Sequence, residues 1–118
     1  MKVIIIDDRQ DTLDLAQMCL ELEGIEVETV NLAREAVERI RSCRPDLVLV
    51  DFNMPELAGP ELIRLVRQTP SISRTPIVVY TAMDRFVVEA AATGFDGIIR
   101  KDGNMERFVA EVRKYLEV

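Results

Sequence analysis

The chain has 118 residues, the size of one domain, and 48% of them are hydrophobic, enough for one ordinary core. A net charge of −6 and a sequence pI near 4.7 exclude non-specific binding to nucleic acid or an anionic membrane, and favour divalent cations and basic partners. No histidine occurs, which removes imidazole metal sites, Ser-His dyads and any internal phosphohistidine.

Val3 to Ile6 is a short β-branched run that reads as a buried strand, with Asp7 and Asp8 at its carboxyl end. The acids come too early for a signal-peptide core, and no apolar run approaches the ~20 residues of a membrane span, so a soluble, cytoplasmic protein is expected. From Asp11 the spacing turns helical, with Thr12, Leu15, Ala16, Cys19 and Leu20 on one face and Gly24 as the stop. Ile25 to Val30 alternates apolar and acidic residues and reads as an edge strand. Asn31 is the expected N-cap of a second helix that turns Ala33, Ala36, Val37 and Ile40 inward and ends before Pro45. Both cysteines, Cys19 and Cys43, fall in apolar helical patterns and read as reduced, buried thiols rather than a disulfide.

Leu47 to Val50 is too short for a helix and apolar throughout, which suits a strand covered on both faces, with Asp51 at its carboxyl end. Gly59 and Pro60 open a third helix carrying Leu62, Ile63, Leu65 and Val66, closed at Thr69-Pro70-Ser71. Ile77 to Tyr80 is a fourth strand ending at Thr81. Asp84 caps a fourth helix running to Gly94. Its Phe86, Val87 and alanines suit a docking surface, although good helix formers explain the alanines equally well. Ile98 and Ile99 form a short fifth strand ending at Lys101. Asn104 caps a last helix with Met105, Phe108, Val109, Val112 and Leu116 at helical spacing.

Strand and helix thus alternate five times without a linker, which predicts one α/β domain over residues 1–118: a parallel sheet with right-handed crossovers and helices on both faces. The doubly wound order 2-1-3-4-5 puts a switch point between strands 1 and 3, where Asp7, Asp8 and Asp51 converge. Three crowded carboxylates repel unless a cation shares them, and Mg²⁺ can be seated by Asp8 and Asp51, with Asp7 acting through water. Acids at strand ends also serve as helix caps, but that accounts less well for three of them at one point. Thr81 adds a hydroxyl donor and Lys101 an ammonium able to neutralise phosphoryl oxygens.

Asp7-Asp8, Asp51 with Asn53-Met54-Pro55 and Gly59, Thr81-Ala82 and Lys101 together resemble the receiver domain of two-component response regulators over nearly the whole chain. The resemblance implies that Asp51 is the phosphoacceptor. It also implies that Asp8, Asp51 and the Asn53 backbone carbonyl hold Mg²⁺ or Mn²⁺, and that Thr81 and Lys101 contact the phosphoryl group. A histidine kinase or phosphotransfer protein would be the donor. A downstream protein would read the surface of the fourth helix, fifth strand and fifth helix, with no direct nucleic-acid or membrane contact. The chain would be a monomer or a weak phosphorylation-dependent dimer, either free-standing or part of a larger regulator, and not a conventional enzyme.

Two positions depart from the family pattern. Ile98 stands where an aromatic switch residue is usual, three before the lysine, and Asp102 replaces the frequent proline after Lys101. A non-proline cis bond costs about 2.5–4 kcal/mol, so a trans peptide is expected there. These departures support a second reading, a pseudo-receiver that binds partners without phosphorylation. Enzymes on similar sheets are disfavoured: Asp7-Asp8-Arg9 supplies neither a Ser/Thr/Gly-rich mononucleotide loop nor the Asp-x-Asp of haloacid dehalogenase-type phosphatases, and no Walker or dinucleotide fingerprint occurs.

Overall fold

A computed structural model describes residues 1–117 of the chain. Five parallel strands, β1 (Lys2–Ile6), β2 (Glu26–Val30), β3 (Leu47–Val50), β4 (Ile77–Thr81) and β5 (Gly97–Arg100), form one sheet in the order 2-1-3-4-5. The intervening helices are α1 (Gln10–Glu21), α2 (Ala36–Cys43), α3 (Gly59–Gln68), α4 (Arg85–Ala91) and α5 (Met105–Leu116), with single 3₁₀ turns at Ala33–Glu35 and Pro70–Ile72. The expected architecture and strand order are therefore present.

The pleat sends alternate residues to opposite faces and so divides the core. Val3, Ile5, Leu47, Leu49, Val78, Tyr80 and Ile99 pack on Leu13, Ala16 and Leu20 of α1 and on Phe108, Val112 and Leu116 of α5. Ile4, Ile6, Val48, Val50, Ile77 and Val79 pack on α2, α3 and α4 through Ala36, Ile40, Leu62, Ile63, Val66 and Val88. Residues such as Ile4 and Leu49 are fully buried, and each contributes about 1.5–3 kcal/mol by leaving water.

Four local expectations need correction. The buried stripe of α1 is Leu13, Ala16 and Leu20, while Leu15 is 43% exposed and Thr12 and Cys19 are half-buried. Two adjacent apolar stripes compete on this helix, and contact with β1, β2 and α5 selects the one a residue-step away. Asn31 does not cap α2. The chain first makes the 3₁₀ turn after Leu32, and the Asn31 amide instead donates to the Gln10 side chain at 3.2 Å. The fourth helix stops at Ala91, short of Gly94. Asp84 and Asn104 do cap α4 and α5, accepting from the backbone N–H of Phe86 and Arg107. Cys19 and Cys43 are free thiols, half-buried rather than fully enclosed.

Candidate functional site at the carboxyl edge of the sheet

In-register pairing of β1 with β3 carries Ile6 beside Val50, so the next residues, Asp7 and Asp51, leave the sheet side by side. The Asp51 N–H donates to the Ile6 carbonyl at 2.9 Å and the Asp7 N–H to the Val30 carbonyl at 3.1 Å, extending the ladder by one residue on each strand. Asp7, Asp8 and Asp51 each place a carboxylate oxygen within 4.8 Å of the others. Asp7 is buried, Asp8 is exposed, and Asp51 lies at the floor of the opening with 9% of its surface accessible.

Lys101 arrives from β5, where its N–H donates to the Thr81 carbonyl at 2.8 Å. Its ammonium lies 2.5 Å from Asp7 Oδ2 and 3.5 Å from Asp51 Oδ1. Asp7 Oδ1 accepts from the Arg9 N–H at 2.9 Å, so both Asp7 oxygens are engaged by protein. Burial pushes the Asp51 carboxyl above its ordinary value. The Lys101 charge pulls it down, Asp7 pushes it up, and the backbone amides of Phe52 and Asn53 pull it down. The Phe52 amide donates to Asp51 Oδ1 at 2.8 Å.

The Thr81 side chain is 2% exposed at the end of β4, and its hydroxyl oxygen accepts from the Met83 N–H at 3.2 Å, which leaves its proton free to donate. Asn53 and Met83 face each other above, the amide donating to the thioether at 3.0 Å. Gly59 is required by close approach: a Cβ there would lie 2.8 Å from both the Asp51 carbonyl oxygen and the Phe52 Cα. The sheet thus brings Asp7, Asp8, Asp51 and the Lys101 ammonium together, with Thr81 at the neighbouring strand end.

The donor set suits a hard divalent cation. It is all oxygen, and Lys101 compensates Asp7 most closely, which leaves Asp8 and Asp51 as negative groups facing the opening.

The response regulator receiver domain model matches residues 3–113. The chain belongs to the response regulator receiver domain family. Among similar proteins, the phosphate regulon transcriptional regulatory protein PhoB of Rhizobium meliloti is 33% identical over 117 residues, covering 98% of this chain and 52% of PhoB. The receiver domain thus spans about half the length of that regulator. An uncharacterized 14.6 kDa protein of Leptolyngbya boryana is also 33% identical, with 98% of this chain and 89% of that protein aligned. The structure of the chemotaxis protein CheY4 of Vibrio cholerae superposes with a TM-score of 0.86 at 28% identity, covering 98% of each chain.

The two departures from the receiver pattern have clear structural settings. Ile98 is half-buried and lines a cleft of about 330 Å³ with Met83, Arg85, Arg100, Arg107 and Glu111, between α4 and α5. The Lys101–Asp102 peptide is trans, as all peptide bonds among the described residues are, and the loop turns at Gly103 with φ of +82°. Asp102 is held by an ion pair to Arg107 and accepts from the Asn104 N–H at 3.0 Å.

One neighbour of the site was missed in the sequence. The Tyr80 ring lies beneath Lys101, with the ammonium 5.3 Å from its centroid. Burial, reinforced by the Asp7 charge, pushes its phenol up to about 12, so it stays neutral. Its signal was its parity: Tyr80 pairs with Ile99, two residues before Lys101, so all three share a face. No helix among the described residues is long and apolar enough to cross a membrane.

Proposed function

We propose that this receiver domain takes a phosphoryl group from the phosphohistidine of a histidine kinase or phosphotransfer protein onto Asp51, and thereby switches a surface read by a downstream protein. The observation that carries the reading is the reach of one lysine to two strand ends, Lys101 Nζ at 2.5 Å from Asp7 and 3.5 Å from Asp51, beside the exposed Asp8. That arrangement positions a carboxylate nucleophile and supplies a fixed cation for developing phosphoryl charge.

Asp51 attacks phosphorus in line. An O–P bond forms as the P–N bond breaks, and the departing imidazole keeps the bonding pair and takes a proton from solvent. Positioning and charge neutralisation dominate such transfers, and a carboxylate nucleophile needs no general base. Lys101 compensates one phosphoryl oxygen and the Thr81 hydroxyl donates to another. Asp8, Asp51 and the Asn53 backbone carbonyl would hold Mg²⁺ or Mn²⁺, with Asp7 contributing through water, and the ion would supply further charge neutralisation when bound. Engagement of Thr81 by the new charge draws the β4–α4 loop inward and shifts a pre-existing equilibrium of the α4, β5 and α5 surface, where Phe86 is 81% exposed.

The test is incubation with a small phosphodonor and Mg²⁺, followed by intact mass. The wild type gains one phosphoryl group and Asp51→Asn gains none; a gain that survives the substitution removes the assignment. In a cellular signalling assay, unchanged output from Asp51→Asn would favour the pseudo-receiver.

A further inference from the structure

The sheet order imposes a distance problem on Lys101. Its strand, β5, is separated from β3 by β4 and from β1 by two strands, and neighbouring strands lie about 4.7–4.9 Å apart. An ammonium that starts on β5 and ends between Asp51 of β3 and Asp7 of β1 has to pass over the end of β4. The β4 residue on the same face is Tyr80, in register with Ile99 and therefore directly in the path of a side chain two residues further on. The Lys101 ammonium lies there, 5.3 Å from the ring centroid, with only 18% of the side chain exposed.

The ring itself is buried and packed. Tyr80 is 6% exposed, and the Phe108 ring of α5 packs against it with centroids 4.7 Å apart. A lysine stem has several rotatable bonds, and an unsupported ammonium gains by swinging into water. An aromatic face below it attracts the cation and blocks other rotamers, more strongly where water is excluded.

We propose that Tyr80 is a positioning residue for phosphoryl transfer: its ring face, braced by Phe108, holds the Lys101 ammonium between Asp7 and Asp51. The role belongs to the π face and not to the hydroxyl. This rests on the reading of Lys101 as a phosphoryl-contacting residue, but the placement of the lysine can be measured without any phosphorylation.

The experiment compares wild type, Tyr80→Phe and Tyr80→Leu by NMR and by the rate of mass gain from a small phosphodonor with Mg²⁺. The Lys101 ε-methylene protons are expected to be shifted upfield by the ring current in wild type and Tyr80→Phe, and to return to ordinary lysine values in Tyr80→Leu. Tyr80→Leu is expected to accept the phosphoryl group roughly five- to thirty-fold more slowly, with Tyr80→Phe restoring the wild-type rate. An unshifted Lys101 in folded wild type overturns the proposal, as does an equal rate for the Leu and Phe variants. If Tyr80→Leu does not fold, the wild-type and Tyr80→Phe spectra still decide it. Failure of wild type to gain mass at all would instead overturn the phosphoacceptor reading, leaving the ring-current result to stand or fall alone.

Discussion

The Asn53 side-chain amide donates to the Met83 thioether at 3.0 Å, tying the β3–α3 loop to the β4–α4 loop above Asp51. On the proposed phosphoacceptor reading, the Met83 thioether beside Asn53 is only a weak acceptor and a poor group to orient an attacking water. Hydrolysis of the phosphorylated protein should therefore be slow. A carboxylate in place of Met83 can accept a proton from the attacking water, so Met83→Glu is expected to lose phosphate at least about ten-fold faster, a conservative figure for a positioned base. Phosphate release after removal of the donor measures this, and faster release from wild type would sink the idea.

Asp51 should make the folded protein less stable where it is ionised. Burial holds its carboxyl above the ordinary value of 3.8. A carboxyl raised on folding contributes stability that is fully present below its unfolded value and is lost as pH rises through the folded value. Asp51→Asn, which cannot ionise, is accordingly expected to be more stable than wild type near neutral pH, by an amount on the order of 1 kcal/mol. The difference should shrink as pH falls toward 3.8. Urea unfolding of both proteins across that range checks the sign; a gain that grows on acidification would contradict it.

Mg²⁺ should stabilise the folded chain through Asp8 and Asp51. At about ten times its dissociation constant a ligand specific to the folded state adds about 1.4 kcal/mol, several degrees in the midpoint of a domain this size. Thermal melts with and without Mg²⁺ are expected to show that rise for wild type and to lose it in Asp8→Ala. An equal rise in the variant would place the cation elsewhere.

Gly59 faces backbone rather than side chains that can move aside. Because an added Cβ would stand 2.8 Å from the Asp51 carbonyl oxygen and the Phe52 Cα, Gly59→Ala has to displace the segment carrying Asp51, the proposed phosphoacceptor. A loss of about 1–3 kcal/mol in stability is expected, the usual cost of overpacking. Slower phosphorylation should accompany it. Chemical denaturation together with the phosphodonor mass assay tests both; a variant as stable and as fast as wild type would show that the loop relaxes freely.

Arg67 joins three segments with one planar group. Its guanidinium donates to the carbonyls of Ser73, Thr75 and Gly94 at 3.1, 2.6 and 2.7 Å and to Asp96 at 3.1 Å, and Asp96 in turn accepts from the Ile77 N–H at 2.8 Å. An ammonium cannot reproduce that fork, so Arg67→Lys is expected to cost about 2 kcal/mol. The shift should appear in the urea midpoint with an unchanged denaturant slope. A midpoint equal to wild type would mean that water replaces the lost bonds at no cost.

Asp51, Asp7 and Lys101 were legible because each ends an apolar run, and a parallel sheet collects such ends along one edge. Asn104 and Asp84 were legible as caps because capping is decided within a few residues. Asn31 has the same residue type and failed. Its neighbour Leu32 enters a 3₁₀ turn and its amide finds Gln10 on another element, a partner that sequence proximity does not reveal. Leu13 and Leu15 are equally apolar, and their roles were separated only by which side of α1 meets the sheet and α5.

Pattern alone therefore determined the alternation of strand and helix, the fold class, the strand order and the acids, threonine and lysine that meet at the sheet edge. These follow from hydrophobic period and chain connectivity, which are local properties with few global solutions. The assignment of charges to partners was decided only by tertiary structure. Lys101 pairs most closely with Asp7, which leaves Asp8 and Asp51 toward the opening; the Tyr80 ring lies under the lysine ammonium, and Met83 meets Asn53 overhead. Those contacts join residues on different strands, and their distances depend on strand spacing and on how α5 braces the ring, which no one-dimensional pattern contains.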